Sequence, residues 1–252
     1  MNARIAALFR HPIKGFTPEK LNHVRLEAGG AFPGDRLWAV EDGPSGFDPA
    51  DPKWVPKQRF TVLAKIAEVA RARTALDDAT GVLTAQVDRQ PAFRGRLAEP
   101  QGRAGFEAWL ADLLGDLATG PLKVVHGGGH HFLDHPLGHV SIINLASVRD
   151  LGEKLGRPVD PLRFRGNLYV DGWPAWAEND WEGRTVTLGE AVTTVFKPIV
   201  RCAAPGVDPT TAVRDLDVTA ELHRLYGHMH CGIYVQVRAA GAVAEGDRAV
   251  VS

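Results

Sequence analysis

Cys202 is the side chain of this sequence best suited to covalent or metal chemistry. It follows Val200-Arg201 at the end of an apolar run and precedes Ala-Ala-Pro-Gly, so it falls where a strand opens into a loop. A cation next door lowers a thiol pKa, and the thiolate is the form that attacks, carries sulfur or binds a soft metal. The competing reading is a buried structural cysteine, since cysteine is among the most commonly buried residues. Cys231, in Gly227-His228-Met229-His230-Cys231-Gly232, is the other thiol, either a redox partner for Cys202 or a space-filler. Two cysteines cannot form a four-thiolate zinc or iron–sulfur site, nor a multi-bridge disulfide scaffold.

Histidines and basic residues form the next two sets. His126, His130, His131, His135 and His139 are interleaved with Gly127-Gly128-Gly129 and Asp134. Imidazole with carboxylate suits zinc, but these spacings match no compact ligand pattern, so a flexible surface loop or a lid over a site is expected. Lys14 in His-Pro-Ile-Lys-Gly, Arg36 in Gly-Asp-Arg-Leu-Trp, and Arg163 and Arg165 in Arg-Phe-Arg-Gly-Asn lie at strand ends or turns. Basic groups so placed can converge on an anion, and arginine forks suit phosphate; each alone is equally well a surface ion pair. Walker, G-x-G-x-x-G, G-x-S-x-G and H-E-x-x-H signatures are absent.

The elements that must position these groups are mostly strands. Arg4 to Arg10, Leu21 to Glu27 and Arg36 to Glu41 read as strands, and Ile66 to Leu76 with Val82 to Val87 as a hairpin. Apolar residues at Phe106, Trp109, Leu110, Leu113, Leu114 and Leu117 keep to one helical face. Further strands are expected over Leu122 to His126, His139 to Asn144, Asn167 to Asp171, Arg184 to Leu188, Ala191 to Phe196 and Gly232 to Arg238. Helices are expected over Ala146 to Leu155, stopped by Gly156, and Val218 to Tyr226, between the Asp217 cap and Gly227. Strands outnumber helices and do not alternate with them, which disfavours a βαβ nucleotide-binding fold. A mainly β (α+β) barrel with a few packed helices is the expectation, divided as residues 1–100 and 101–252.

Bulk composition narrows the function classes. The chain has 252 residues, 44% hydrophobic and 23% charged, with 29 basic against 30 acidic side chains. That length supports a sizeable core. A net charge of −1 argues against a duplex nucleic-acid partner. No apolar run reaches the roughly 20 residues needed to span a bilayer, and the opening MNARIAALFRHPIKG does not predict a signal peptide. A cytoplasmic protein with no membrane or nucleic-acid partner is expected.

Read in order, these pieces resemble the MOSC family, related to the carboxy-terminal part of molybdenum-cofactor sulfurases. The resemblance rests on His-Pro-Ile-Lys-Gly near the start, Gly34-Asp35-Arg36-Leu37-Trp38, Val140-Ser141-Ile142-Ile143-Asn144 and Arg163-Phe164-Arg165-Gly166-Asn167. It continues through Glu178 to Trp181, Arg201-Cys202 followed by Val207-Asp208-Pro209, and a closing Gly246-Asp247, covering nearly the whole chain. It implies a MOSC β-barrel preceded by a small MOSC N-terminal β-rich domain, with a molybdopterin-type molybdenum cofactor (Mo-molybdopterin) in its cleft. By the same resemblance, Cys202 ligates molybdenum and is the catalytic residue. Lys14, Gly15, Arg36, Ser141, Arg165 and Asn167 hold the pterin and its phosphate, and Arg201 flanks the metal ligand. Gly15 stands where the family often has Ser, and Gly166 where many relatives carry Pro.

The implied activity is a molybdenum-dependent oxidoreductase that reduces N-hydroxylated or S-oxide small molecules, like the amidoxime-reducing component and related bacterial reductases. Two cysteines cannot hold an iron–sulfur relay, so electrons are expected from a separate donor protein. One alternative is a sulfur carrier in which Cys202 holds a persulfide from a separate pyridoxal-phosphate desulfurase. Another is a non-catalytic cofactor carrier.

Overall fold

The computed structural model describes residues 2–252. Its first strand, β1 (Asn2–Arg10), buries Ala3, Ile5 and Leu8. The alternation slips between Ile5 and Ala7, where a bulge shifts the register against a neighbouring strand. Two short strands follow, β2 (Glu19–Leu21) and β3 (His23–Leu26), in place of the single one expected. Then come β4 (Trp38–Asp42), β5 (Arg73–Asp77), β6 (Val82–Val87) and β7 (Gln90–Arg96). The expected hairpin forms between β5 and β6, but its first strand starts later, because Ala67–Arg71 coils as a 3-10 turn.

Helix α1 (Pro100–Leu114) starts on proline, whose missing N–H costs nothing at a first turn. It buries Phe106, Trp109, Leu110 and Leu114 against β7 and its neighbours. Leu117 departs from the expected face: it lies beyond the helix and is 47% exposed.

The second half holds β8 (Leu122–His126), β9 (Val140–Asn144), α2 (Leu145–Leu155) and β10 (Leu168–Asp171). β11 (Thr185–Leu188), β12 (Ala191–Val200), α3 (Val218–Tyr226) and β13 (His230–Ala239) come next. β14 (Gly241–Ala244) and β15 (Arg248–Val251), which the apolar pattern did not single out, end the order. Helix α2 is capped by Asn144, whose side chain accepts from Ala146 N at 3.1 Å, and α3 by Asp217, which accepts from Ala220 N at 3.0 Å. No helix among the described residues is long and apolar enough to cross a membrane.

Seven strands close into a barrel in the order β10-β9-β13-β12-β11-β15-β1, with β1 pairing back to β10 and β2 attached outside. The strand nearest the amino end thus completes a ring otherwise built from the second half. β9 and β10 are the parallel neighbours of this ring. A parallel pair needs a crossover, here α2 and the Pro161–Phe164 turn, which carries the Arg163–Arg165 segment to the barrel rim. The interior is filled by Ile5, Leu8, Ile142, Leu168, Val186, Val235 and the edge-to-face pair Trp173 and Trp181. A second core, around Phe16, Leu83, Phe106 and Leu110, packs the three-stranded β5-β6-β7 sheet against α1. The mainly β architecture is as expected.

Candidate functional site

One cleft of about 230 Å³ lies where the two halves meet. Lys14 and Gly15, in the turn after β1, and Arg36, before β4, line it from the first half. Asp134 and His135 of the β8–β9 loop, Ser141 of β9, Arg163 to Arg165 of the crossover turn, Lys197 of β12, Arg201-Cys202 and Tyr234 of β13 line it from the second. Of the residues singled out in the sequence, Lys14, Gly15, Arg36, Ser141, Arg165, Arg201 and Cys202 therefore share one cleft.

Asn167 does not reach it. Its side chain is buried behind Ser141, accepting from Ser141 N at 3.0 Å and Ser141 Oγ at 2.8 Å, and donating to Phe9 O at 3.3 Å. It positions Ser141 and β1 rather than facing the cleft.

The deep end is cationic. Arg36 and Arg165 both sit at φ +51°, a left-handed conformation that side chains seldom adopt. Arg36 Nη2 donates to Arg165 O at 3.2 Å, while its other arm pairs with Asp35. Arg165 donates to Phe16 O at 2.8 Å and has no acidic partner among the described residues. Burial, and then the charge of Arg36, pull Arg165 down to about 10. Asp35 and Asp134 act on both guanidiniums, but Asp134 is shared with Lys14 and Lys57, so the cluster holds more positive than negative charge.

Asp35 is fixed from below by His11, whose backbone N–H donates to Asp35 Oδ1 at 2.7 Å and whose Nδ1 lies 3.2 Å from the same oxygen. Burial first, then the charge of Arg165, pull His11 down to about 3, so it is neutral. Lys14 donates from Nζ to Phe132 O at 2.8 Å and to Asp134 Oδ1 at 2.5 Å. Burial lowers its pKa. Burial opposes the charge on Asp134, yet Lys14, Lys57 and Arg36 together hold its carboxyl well below the ordinary range.

Gly15 is required by packing: at φ +91°, a Cβ there would stand 2.5 Å from Thr61 O. A serine there would clash with that carbonyl. Gly166 is likewise pressed against Ile143, 2.4 Å from where its Cβ would stand.

Cys202 forms the other end and is partly exposed. Arg201, beside it, is turned inward, donating to Cys231 O at 2.7 Å and Phe164 O at 2.8 Å, so its fork braces the rim. Lys57, which no sequence motif marks, lines the cleft with Cys202. Burial would lower its pKa, but Asp134 and then Cys202 raise it. Tyr234 also went unnoticed; burial, then Asp134, raise its hydroxyl to about 12, so it stays a neutral donor.

Three sets of residues with open alternatives in the sequence have definite places in the structure. Cys231 is fully buried with Ile143, Val148 and Leu151, its thiol pushed up to about 12 by burial; it fills the core and is no redox partner. Arg163 is a clamp, binding Asp215 at 2.8 and 3.0 Å, Asp208 at 2.7 Å and Pro205 O at 3.3 Å. The loop histidines scatter: His126 packs on Trp38, His130 on Phe47, His131 bonds Asp35 O, and His135 alone of the five lines the cleft. Among the described residues no three His, Cys, Asp or Glu side chains are placed to hold a metal ion.

The closed barrel, with a rim cleft joining one thiol to a cluster of cations, agrees with the β-barrel that the sequence resemblance implies. The chain belongs to the MOSC family: residues 2–117 match the MOSC N-terminal beta barrel domain and residues 127–250 the MOSC domain. It is 33% identical over 108 residues to the molybdenum cofactor sulfurase of Anopheles gambiae, covering 38% of this chain and 14% of that protein. It is 29% identical over 85 residues to mitochondrial amidoxime-reducing component 1 of Mus musculus, covering 34% of this chain and 24% of that protein. Each match thus spans a quarter or less of the relative's length. The YUAD protein of Bacillus subtilis shares the fold over 100% of this chain and 96% of its own, with a TM-score of 0.50 and 17% identity.

Proposed function

We propose that the cleft binds a molybdopterin-type molybdenum cofactor, with Cys202 as the protein thiolate to the metal. On this reading the chain is a cytoplasmic reductase of N-hydroxylated or S-oxide small molecules. The observation that carries it is the convergence, in one cleft, of the accessible thiol with the Lys14, Arg36 and Arg165 seat.

The residues present fit the group. The phosphate ester suits the crowded, under-neutralised guanidiniums of Arg36 and Arg165, and the soft metal suits a thiolate beside Lys57. When bound, the cofactor supplies the redox chemistry. Arg36 and Arg165 bind and orient its anionic end, while Ser141, held by Asn167, and the Tyr234 hydroxyl offer hydrogen bonds along the cleft. Val62, Leu63, Phe164 and Ile199 keep water from its walls. Removal of oxygen from an N-hydroxylated substrate consumes two electrons and two protons and releases water. Lys57 Nζ is a protonated donor beside Cys202; the electrons come from a separate donor protein.

Metal and pterin analysis of freshly purified protein tests the reading. The expected result is about one molybdenum per chain, lost in Cys202→Ser while the fold is kept. The sulfur-carrier reading draws on the stretch shared with the Anopheles sulfurase. Releasable persulfide sulfur on Cys202 with no molybdenum, in a host that makes the cofactor, would overturn the reductase reading in its favour.

A further inference from the structure

We infer that Asp134 is an internal counter-anion, which an entering phosphoryl group must displace from the cationic seat. The inference rests on the reading of Lys14, Arg36 and Arg165 as an anion seat, and adds how that seat is held before a ligand arrives.

The geometry divides the partners into fixed and movable. Lys14 Nζ is held by Phe132 O at 2.8 Å, and its side chain is only 3% exposed. Phe132 is itself pinned: its N–H donates to Arg36 O at 2.8 Å, and its ring packs between Phe47 and Phe60. The lysine therefore stays where it is.

Asp134, by contrast, has a side chain 40% exposed. One oxygen lies 2.5 Å from Lys14 Nζ, and the other 3.9 Å from Lys57 Nζ. No other hydrogen bond among the described residues holds this carboxylate, so rotation of its own side chain releases it to solvent. The segment before it is tied through Leu133 O to Trp54 Nε1 at 3.0 Å, whereas the hydrogen bonds of the His135–Gly138 turn after it stay within the turn, which leans on Phe196 through the His135 ring.

A carboxylate on a lysine that lines the cleft occupies the place a phosphate oxygen would take. It also gives a deeply buried ammonium its counter-charge, since an unpaired buried charge is costly. Once a phosphoryl group brings its own charge, the carboxylate is both redundant and repelled.

Inorganic phosphate is the probe, measured by calorimetry on the purified full chain freed of bound cofactor. Asp134→Asn is expected to bind phosphate at least tenfold more tightly than wild type, and Asp134→Glu about as wild type does. Unchanged or weaker binding in Asp134→Asn would overturn the displacement and leave Asp134 as a support for Lys14. If phosphate binds neither form, the anion seat itself falls, and with it the proposed cofactor site. A second measurement uses wild-type protein. With aspartate side chains 13C-labelled, the carboxyl resonance that is missing in Asp134→Glu should shift as phosphate is added. A resonance that does not move at saturating phosphate overturns the inference, whatever the variants do.

Discussion

Arg163 and Arg165 stand two residues apart in one motif and do opposite work. Arg163 turns away from solvent into two carboxylates and a carbonyl, so it fastens the 205–215 loop behind Cys202. Arg165, thrown to the other side by its left-handed backbone, hydrogen-bonds a carbonyl, crowds another arginine, and feels Asp134 and Asp35 without bonding either. Arg163→Met should therefore destabilise the protein by about 2 kcal/mol in urea unfolding, since it takes the arginine from Asp208 and leaves Asp215 only Arg157. Arg165→Met should leave stability equal or higher, by removing repulsion with Arg36, and abolish phosphate binding. Equal losses of stability in both would refute this division. The sequence shows two basic residues and the chance of an anion site; it does not show which of them is already neutralised, because Asp208 and Asp215 meet Arg163 only through the folded loop. Lys57 was illegible as a site residue for the same reason, and Asp134, visible only as a carboxylate among the loop histidines, takes its role from Lys14 and Lys57.

At the scale of elements, the β9–α2–β10 crossover carries the site's framework. Asn144 ends β9, caps α2, and donates to Glu178 Oε2 at 2.7 Å and Pro174 O at 2.9 Å. Ser147 Oγ gives Glu178 a second hydrogen bond at 2.7 Å. Burial raises the pKa of Glu178 despite these donors. Asn144→Ala should cost about 1–3 kcal/mol, from the lost cap and the exposed need of Glu178 and Pro174 O. Asn144→Asp keeps a capping oxygen but sets a second carboxylate against Glu178. It should cost more than alanine near pH 7.5, and the gap should narrow as pH falls toward 5 and one carboxyl takes a proton, read from urea midpoints at the two pH values. This framework was legible where the local signals were strong: the apolar run of β9, and the caps and glycine stops of α2 and α3. It was illegible in β7, which contains Pro91 and Gly95, and in β14 and β15, each only four residues long. Such strands exist because a neighbour completes their hydrogen bonding, and no neighbour is visible in a linear pattern. The Ile66 run is the converse case, apolar enough for a strand but wound into a 3-10 turn that buries Val69.

For the whole molecule, the ring depends on a strand from the opposite end of the chain. β1 pairs with β10 through Arg4↔Asp171 and Leu8↔Leu168, and with β15 through Asn2↔Val250. Without it, β10 and β15 become open edges and the inward side chains Ile5 and Leu8 leave a gap in the core. A fragment of residues 118–252 should then aggregate or melt without a cooperative transition. A fragment that unfolds with a single sharp urea midpoint would show that the second half closes by itself.

The same pairing has a consequence for the protein's manufacture. Of the seven strands in the ring, the one the ribosome releases first lies beside the one it releases last, so the barrel cannot shut until the last of the seven has emerged. Lys14 and Gly15 hang directly from that early strand, and Cys202 and Tyr234 from late ones. A half-made chain therefore owns some pieces of the cleft but not the cleft, and ligand loading has to wait until the last strand of the ring is in place.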